Sequence, residues 1–159
     1  MKKIDSFKVN HLILKPGVYF SREDDVNGTK VQTWDIRITR PYYEPVIPIE
    51  AVHALEHLLA TFCRNDECYG KDIIYVGPGS CCTMMYIVTF NMTSEDVITL
   101  LRAAFSYVSH YEGQIPGATP VECGACYLMD LDCAKQYAEQ FFNRVLKTIT
   151  PQNMVYETE

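Results

Sequence analysis

Residues 49–64 read Ile-Glu-Ala-Val-His-Ala-Leu-Glu-His-Leu-Leu-Ala-Thr-Phe-Cys-Arg. Ile49, Val52, Leu55, Leu59 and Phe62 recur at spacings of three and four, which gives one apolar helical face. Pro41, Pro45 and Pro48 interrupt regular structure before this stretch, and Pro48 suits the first turn of a helix. The same helix carries His53, Glu56 and His57.

On the N-terminal side, Val31–Thr39 alternates as a strand does, and Asn27-Gly28 before it is a hairpin turn signal. Phe7–Leu14 is apolar-rich and reads as an edge strand stopped by Pro16-Gly17. On the C-terminal side, Ile73–Val76 and Thr83–Phe90 read as strands flanking a tight Gly77-Pro78-Gly79-Ser80 loop. Thr93 and Ser94, followed by Glu95 and Asp96, start a second helix running to about Tyr111, with Val97, Leu101, Ala104 and Val108 on its inner stripe. Gly113 stops it. Gln114–Pro120 reads as a loop and Val121–Leu128 as a strand. Asp132–Lys147 is a last helix with Ala134, Ala138, Phe141 and Val145 on one side. Strands come in pairs before helices. The fold expected is α+β, a single domain over residues 1–159 with an antiparallel sheet packed against helices.

Composition narrows the function. The 159 residues are 48% hydrophobic and 21% charged, enough for a real core and too apolar for a disordered chain. The net charge of −6 and the scattered Lys and Arg exclude nucleic acid as a partner. No apolar run approaches the roughly 20 residues that span a bilayer, so no membrane role is expected. The opening MKKIDSFKVN is unlike a secretory signal, and seven cysteines is an odd number. Reduced thiols in the cytoplasm are the reading, used for metal binding, chemistry or burial.

His53-Ala54-Leu55-Glu56-His57 is the strongest chemical signal. Residues four apart share a helical face, so both imidazoles can reach one metal ion, with Glu56 beside it to handle protons. A catalytic site usually wants a third protein ligand. His11, His110 and the cysteines are all available, with Cys123 prominent in Glu122-Cys123-Gly124 because the glycine lets the sulfur approach closely. Cys81, in Gly79-Ser80-Cys81-Cys82-Thr83, suits nucleophilic or acid–base work if a nearby cation lowers its pKa.

Several of these runs, in order, resemble S-ribosylhomocysteine lyase, the LuxS family: Ser6-Phe7 with His11, Asp35-Ile36-Arg37, the His53–His57 helix continuing to Arg64-Asn65, Pro78–Thr83, Glu122-Cys123-Gly124, and Leu131–Phe142. The resemblance covers Asp5 to about Leu146. It implies a divalent metal on His53, His57 and Cys123: iron(II) natively, with zinc(II) or cobalt(II) as replacements. It implies Cys81 and Glu56 as the two acid–base groups, a substrate pocket lined by Ser6, His11 and Arg37, and a homodimer with its sites at the subunit interface. The implied reaction moves the ribose carbonyl of S-ribosylhomocysteine by proton shifts. β-Elimination then gives homocysteine and 4,5-dihydroxy-2,3-pentanedione, the autoinducer-2 precursor.

The chain departs from the family's pattern at Ser80 and Met84, where glycines are usual, and at Tyr75, where an acid is usual. A divergent family member acting on a related thioether sugar is one alternative, and two readings from outside the family compete. H-x-x-E-H also serves inverted-zincin metallopeptidases, but these are much larger and draw a third ligand from a distant carboxylate. A non-catalytic metal-binding protein would explain the cysteines but not Glu56 between the histidines.

Overall fold

The computed structural model describes residues 2, 4 and 7–157. Strands β1 (Gly17–Val26), β2 (Thr29–Arg37), β3 (Ile73–Pro78) and β4 (Met84–Phe90) form one sheet in the order β1-β2-β4-β3. Every pair is antiparallel. Helices α1 (Ile49–Asn65), α2 (Ser94–Ser109) and α3 (Leu131–Phe141) join it in one continuous core, and the chain is the expected α+β fold.

The β1–β2 hairpin closes with Val26 opposite Thr29, so its loop is Asn27-Gly28 alone. Both residues have positive φ, 53° and 84°, the type I′ geometry that matches strand twist. β1 itself was not expected. Pro16-Gly17 starts this strand instead of ending an earlier one. Its second half, Ser21 to Asp25, is polar and lies on the sheet edge, so it carries no alternation of apolar residues. Its ladder comes from β2 and from cross-strand pairs such as Lys30 with Glu23 at 3.1 Å. The strand expected at Phe7–Leu14 is a run of turns. Asn10 Oδ1 accepts the N–H of Leu12, and Phe7 and Leu12 are exposed.

The helices follow their patterns closely. Pro48 occupies the cap position of α1, one place before the first helical residue, and its carbonyl accepts the N–H groups of Ala51 and Val52. Val52, Leu55, Leu58 and Leu59 are buried, whereas Ile49, placed on the apolar face by spacing, is exposed. Leucines so buried typically lose about 2–5 kcal/mol on truncation to alanine. Thr93 and Asp96 cap α2 reciprocally, and Val97, Leu101, Ala104 and Val108 all face the core. α3 gives way to a π-turn at Phe142–Leu146 within the expected helical span. Phe141 packs on Phe105 of α2 at 4.9 Å.

The other strand expected by sequence, Val121–Leu128, is a set of turns. Val121 and Tyr127 are 95% and 81% exposed, so their apolar character does not report burial in a sheet. Among the described residues no helix is long and apolar enough to cross a membrane.

Candidate functional site

Two clusters of reactive side chains lie on different parts of the fold. The first is built on α1. His53 and His57 sit one turn apart with ring centroids 4.9 Å apart, and Cys123 reaches them from the turns that follow Pro120. Their ligating atoms lie within 4.8 Å of one another, and all three side chains are half-buried. The backbone holds this loop in place. Cys123 N–H donates to the Thr119 carbonyl at 2.9 Å, and Asp130 N–H donates to the Glu50 carbonyl at the start of α1 at 3.0 Å.

The histidine tautomers follow from their partners. His53 Nδ1 lies 2.8 Å from the Leu128 carbonyl, and His57 Nδ1 lies 2.7 Å from the Pro116 carbonyl. A carbonyl only accepts, so each Nδ1 carries the proton and each Nε2 keeps its lone pair for a ligand. The Cys123 thiol donates to His53 Nε2 at 3.3 Å. Donors of a tetrahedral zinc-sized ion would sit roughly 3.4–3.8 Å apart, close to the spacing of this set. Two oriented imidazoles and a thiol therefore fit a divalent metal with a coordination position left open. Among the described residues this is the one such cluster. His110 is elsewhere, exposed, against the Ser106 carbonyl. Glu56 precedes His57 on the same helix, half-buried, and is not one of the three donors.

Gly117 explains how the loop can pass so close. Its φ of +70° is left-handed, and a Cβ there would stand 3.1 Å from His57 Nδ1. Glycine is favoured on both counts.

The second cluster surrounds Cys81, in the turn between β3 and β4. Cys82 closes that turn with a φ of 53°, unusual for a residue with a side chain. Its N–H donates to the Gly79 carbonyl at 3.0 Å, and its carbonyl accepts the N–H of Ile47 at 2.8 Å. Cys81 is thereby presented to a cavity of about 230 Å³ lined also by His11, Asp35, Arg37, Tyr86 and Tyr156. His11 is half-buried there and donates through Nδ1 to the Val9 carbonyl at 2.9 Å. Ser6 lies outside the described residues.

Arg37 is the hub. It is almost fully buried, paired through Nη2 with Asp35 at 2.6 Å. Its Nη1 donates to the Thr83 hydroxyl at 2.6 Å and approaches Cys81 Sγ at 3.7 Å. The Thr83 hydroxyl, accepting from Arg37, can give its own proton to Cys81 Sγ at 3.1 Å. Partial burial pushes the Cys81 thiol up. The Thr83 hydroxyl and N–H, with the Arg37 charge and hydrogen bond, outweigh it and hold the thiol below its ordinary value. Burial pushes Asp35 up, against the pull of Arg37 and of the Tyr156 hydroxyl.

The structure thus brings His53, His57 and Cys123 together, and separately Cys81, Arg37 and His11. None of the three donors, nor Glu56, lines the Cys81 cavity. Tyr75 and Met84 both lie against glycines. The Tyr75 ring covers Gly77, and the Met84 thioether fills the space a Cβ on Gly79 would need. Ser80 is exposed at the turn. Sequence reasoning passed over Thr83, Gly117 and Tyr156 as site residues. For Asp35 a signal existed, because residues two apart on a strand share a face and Asp35–Arg37 is an opposite-charge pair. Of the remaining cysteines, Cys63 is buried, with its thiol pushed up to about 12 by that burial and, to a lesser degree, by Asp66. Cys68, Cys126 and Cys133 are free and belong to neither cluster.

Known proteins align along almost the whole chain. The family profile described as S-Ribosylhomocysteinase (LuxS) matches residues 4–152. A protein of Clostridium beijerinckii named S-ribosylhomocysteine lyase is 43% identical over 157 residues, which is 98% of this chain and 99% of the relative. A protein of the same name from Finegoldia magna is also 43% identical over 157 residues, with the same coverage. One from Phocaeicola vulgatus is 39% identical over 160 residues, covering 100% of this chain and 99% of its own. The chain belongs to the S-ribosylhomocysteinase (LuxS) family.

Proposed function

We propose that residues 1–159 form one lyase domain that cleaves the thioether of S-ribosylhomocysteine, releasing homocysteine and 4,5-dihydroxy-2,3-pentanedione. The observation that carries this reading is the His53–His57–Cys123 donor set, with both Nδ1 atoms tied to carbonyls, in a chain of this family. Iron(II) is the metal proposed, replaceable by zinc(II) or cobalt(II). The metal supplies Lewis acidity that polarises a sugar carbonyl.

The chain's own groups move the protons. Cys81, held toward its thiolate by Thr83 and Arg37, takes a proton from one ribose carbon and returns it to the next. Glu56, on the helix of the metal ligands, is the second acid–base group. Two such shifts carry the carbonyl along the ribose until the carbon next to the C–S-bearing carbon has an acidic proton. Removing that proton expels the sulfur, the C–S bond breaks with its electron pair going to sulfur, and a proton completes the homocysteine thiol. No net oxidation occurs. Arg37, His11 and Ser6 are proposed to bind the substrate's polar groups. The role of Ser6 rests on the resemblance alone.

The Cys81 cavity and the donor cluster share no residue, which supports a homodimer in which one protomer's cavity meets its partner's cluster. The exposed Val121 and Tyr127, flanking Cys123, support the same arrangement. Seven free thiols, two of them in this chemistry, favour a reducing cytoplasmic setting.

The test is anaerobic loading with iron(II) or cobalt(II), addition of S-ribosylhomocysteine, and measurement of new free thiol. Cys81→Ala and Glu56→Ala should keep metal and lose turnover, and Cys123→Ala should lose metal. No homocysteine from the loaded wild type sinks the lyase reading. Loss of metal from Cys81→Ala would overturn the two cysteine roles.

A further inference from the structure

The chain after residue 152 returns to the Cys81 cavity. Met154 is buried, and its carbonyl accepts the N–H of Phe20 on β1 at 2.8 Å. Glu157 pairs with Lys15 at 2.7 Å. Between these two anchors Tyr156 stacks on Tyr19, with centroids 4.8 Å apart and planes within 15°. Tyr19 is fixed in turn, its hydroxyl donating to the Lys15 carbonyl at 2.9 Å.

The Tyr156 hydroxyl donates to Asp35 Oδ2 at 3.1 Å, the same oxygen that accepts Arg37 Nη2 at 2.6 Å. Asp35 Oδ1 has no partner among the described residues, so the support for this buried carboxylate falls on Oδ2. Burial favours its neutral form, and each hydrogen bond it accepts favours the charged one. Remove the phenol and the carboxylate takes a proton more readily. A neutral Asp35 keeps only a hydrogen bond to Arg37 in place of the ion pair, and the other anchor of the guanidinium is Thr83. The guanidinium is then held less firmly beside Cys81. His11 and Tyr86 also line the cavity, but it is the Arg37 cation that reaches the sulfur.

We propose that Tyr156 is a positioning residue for the reaction. Through Asp35 its hydroxyl fixes the Arg37 guanidinium beside Cys81, and its ring walls the cavity that Cys81 faces. This rests on the proton-moving role given to Cys81 above. It makes the segment after residue 152 part of the apparatus.

The test uses the full metal-loaded chain with Tyr156→Phe, which keeps the ring, and Tyr156→Leu, which loses it. Peptide-resolved alkylation of Cys81 by iodoacetamide is followed against pH without substrate, beside kcat and KM for homocysteine release and the thermal midpoint. Tyr156→Phe should raise the Cys81 alkylation midpoint by about half a pH unit. It should lower kcat about tenfold with KM and thermal midpoint little changed. Tyr156→Leu should raise KM as well. An alkylation midpoint for Tyr156→Phe that is unchanged or lowered overturns the proposal, as does an unchanged kcat. If Tyr156→Leu fails to fold, Tyr156→Phe still reads the relay, because it keeps the stack on Tyr19. If the wild type releases no homocysteine, the lyase reading fails, while the alkylation profile still decides whether Tyr156 governs Cys81.

Discussion

Replacing Gly117 by alanine tests whether the metal cluster is held by the geometry described. Two costs can be separated. The first is conformational: a φ of +70° is left-handed, and forcing alanine into it costs about 1–2 kcal/mol. The second is steric and local to the His57 ring. The new Cβ would lie 3.1 Å from His57 Nδ1 and 3.3 Å from Cε1, so the ring or the loop must give by a few tenths of an ångström. The same Nδ1 donates at 2.7 Å to the carbonyl of Pro116, the adjoining residue, so either movement disturbs the bond that orients the ring. Losing such an orienting contact typically costs about 10–100-fold in metal affinity. Gly113 provides the matched control, since it has a φ of +107° and nothing within 4 Å of its would-be Cβ. Gly117→Ala should lose both thermal stability and cobalt(II) affinity, read from the thiolate-to-cobalt absorption in competition with a chelator. Gly113→Ala should lose stability alone. Wild-type affinity in Gly117→Ala would refute the reasoning, and so would an equal loss in Gly113→Ala.

Other outcomes follow from single contacts. Peptide-resolved alkylation of the native protein at neutral pH should find Cys81 modified first and Cys63 last. Cys81 is exposed with its thiol held down, whereas burial pushes Cys63 up to about 12. Thr89→Ala should destabilise by about 1–3 kcal/mol in denaturant titration. It strands the buried Trp34 Nε1, which donates to the Thr89 hydroxyl at 3.0 Å. Thr93→Ala should cost about 1 kcal/mol by removing the α2 cap. The Thr93 hydroxyl and N–H hold Asp96 below its ordinary 3.8, so the stability this carboxylate adds is present above that value and fades as pH falls through its lowered pKa. Thr93→Ala should therefore flatten the acid limb of the stability curve, measured by thermal midpoints between pH 2 and 5.

What was legible in the sequence follows the range of the interactions involved. α1 and the pairing of His53 with His57 depend on neighbours within one helix, where spacing alone says which side chains share a face. The α2 cap is equally local. β1 was not legible because the pairing that makes it a strand is donated by β2, and its own outer half is polar. Cys123 as third donor, and Cys81 with Arg37, came from resemblance. Residues 53 and 123, or 37 and 81, meet only through the fold. Tyr156 had no local signal, since its partners Tyr19 and Asp35 lie at the other end of the chain.

The mistaken strand at Val121–Leu128 bears on the site itself. Apolar side chains spaced along a segment report that something covers them, and a sheet is only one such cover. In the single chain Val121 and Tyr127 are almost bare, although Cys123 between them is half-buried beside His53. Tyr42, Tyr43, Val46 and Ile49, on the approach to α1, are also exposed. The segment that carries Cys123 and the entry to the helix that carries His53 and His57 thus both present apolar surface outward. In the proposed homodimer this surface is where the partner packs. Charge substitution tests it: Val121→Asp should leave the single chain's fold intact, because its side chain touches little there. It should shift the protein toward monomer in sedimentation and lower turnover with it. A monomeric wild type with full activity would refute the shared site.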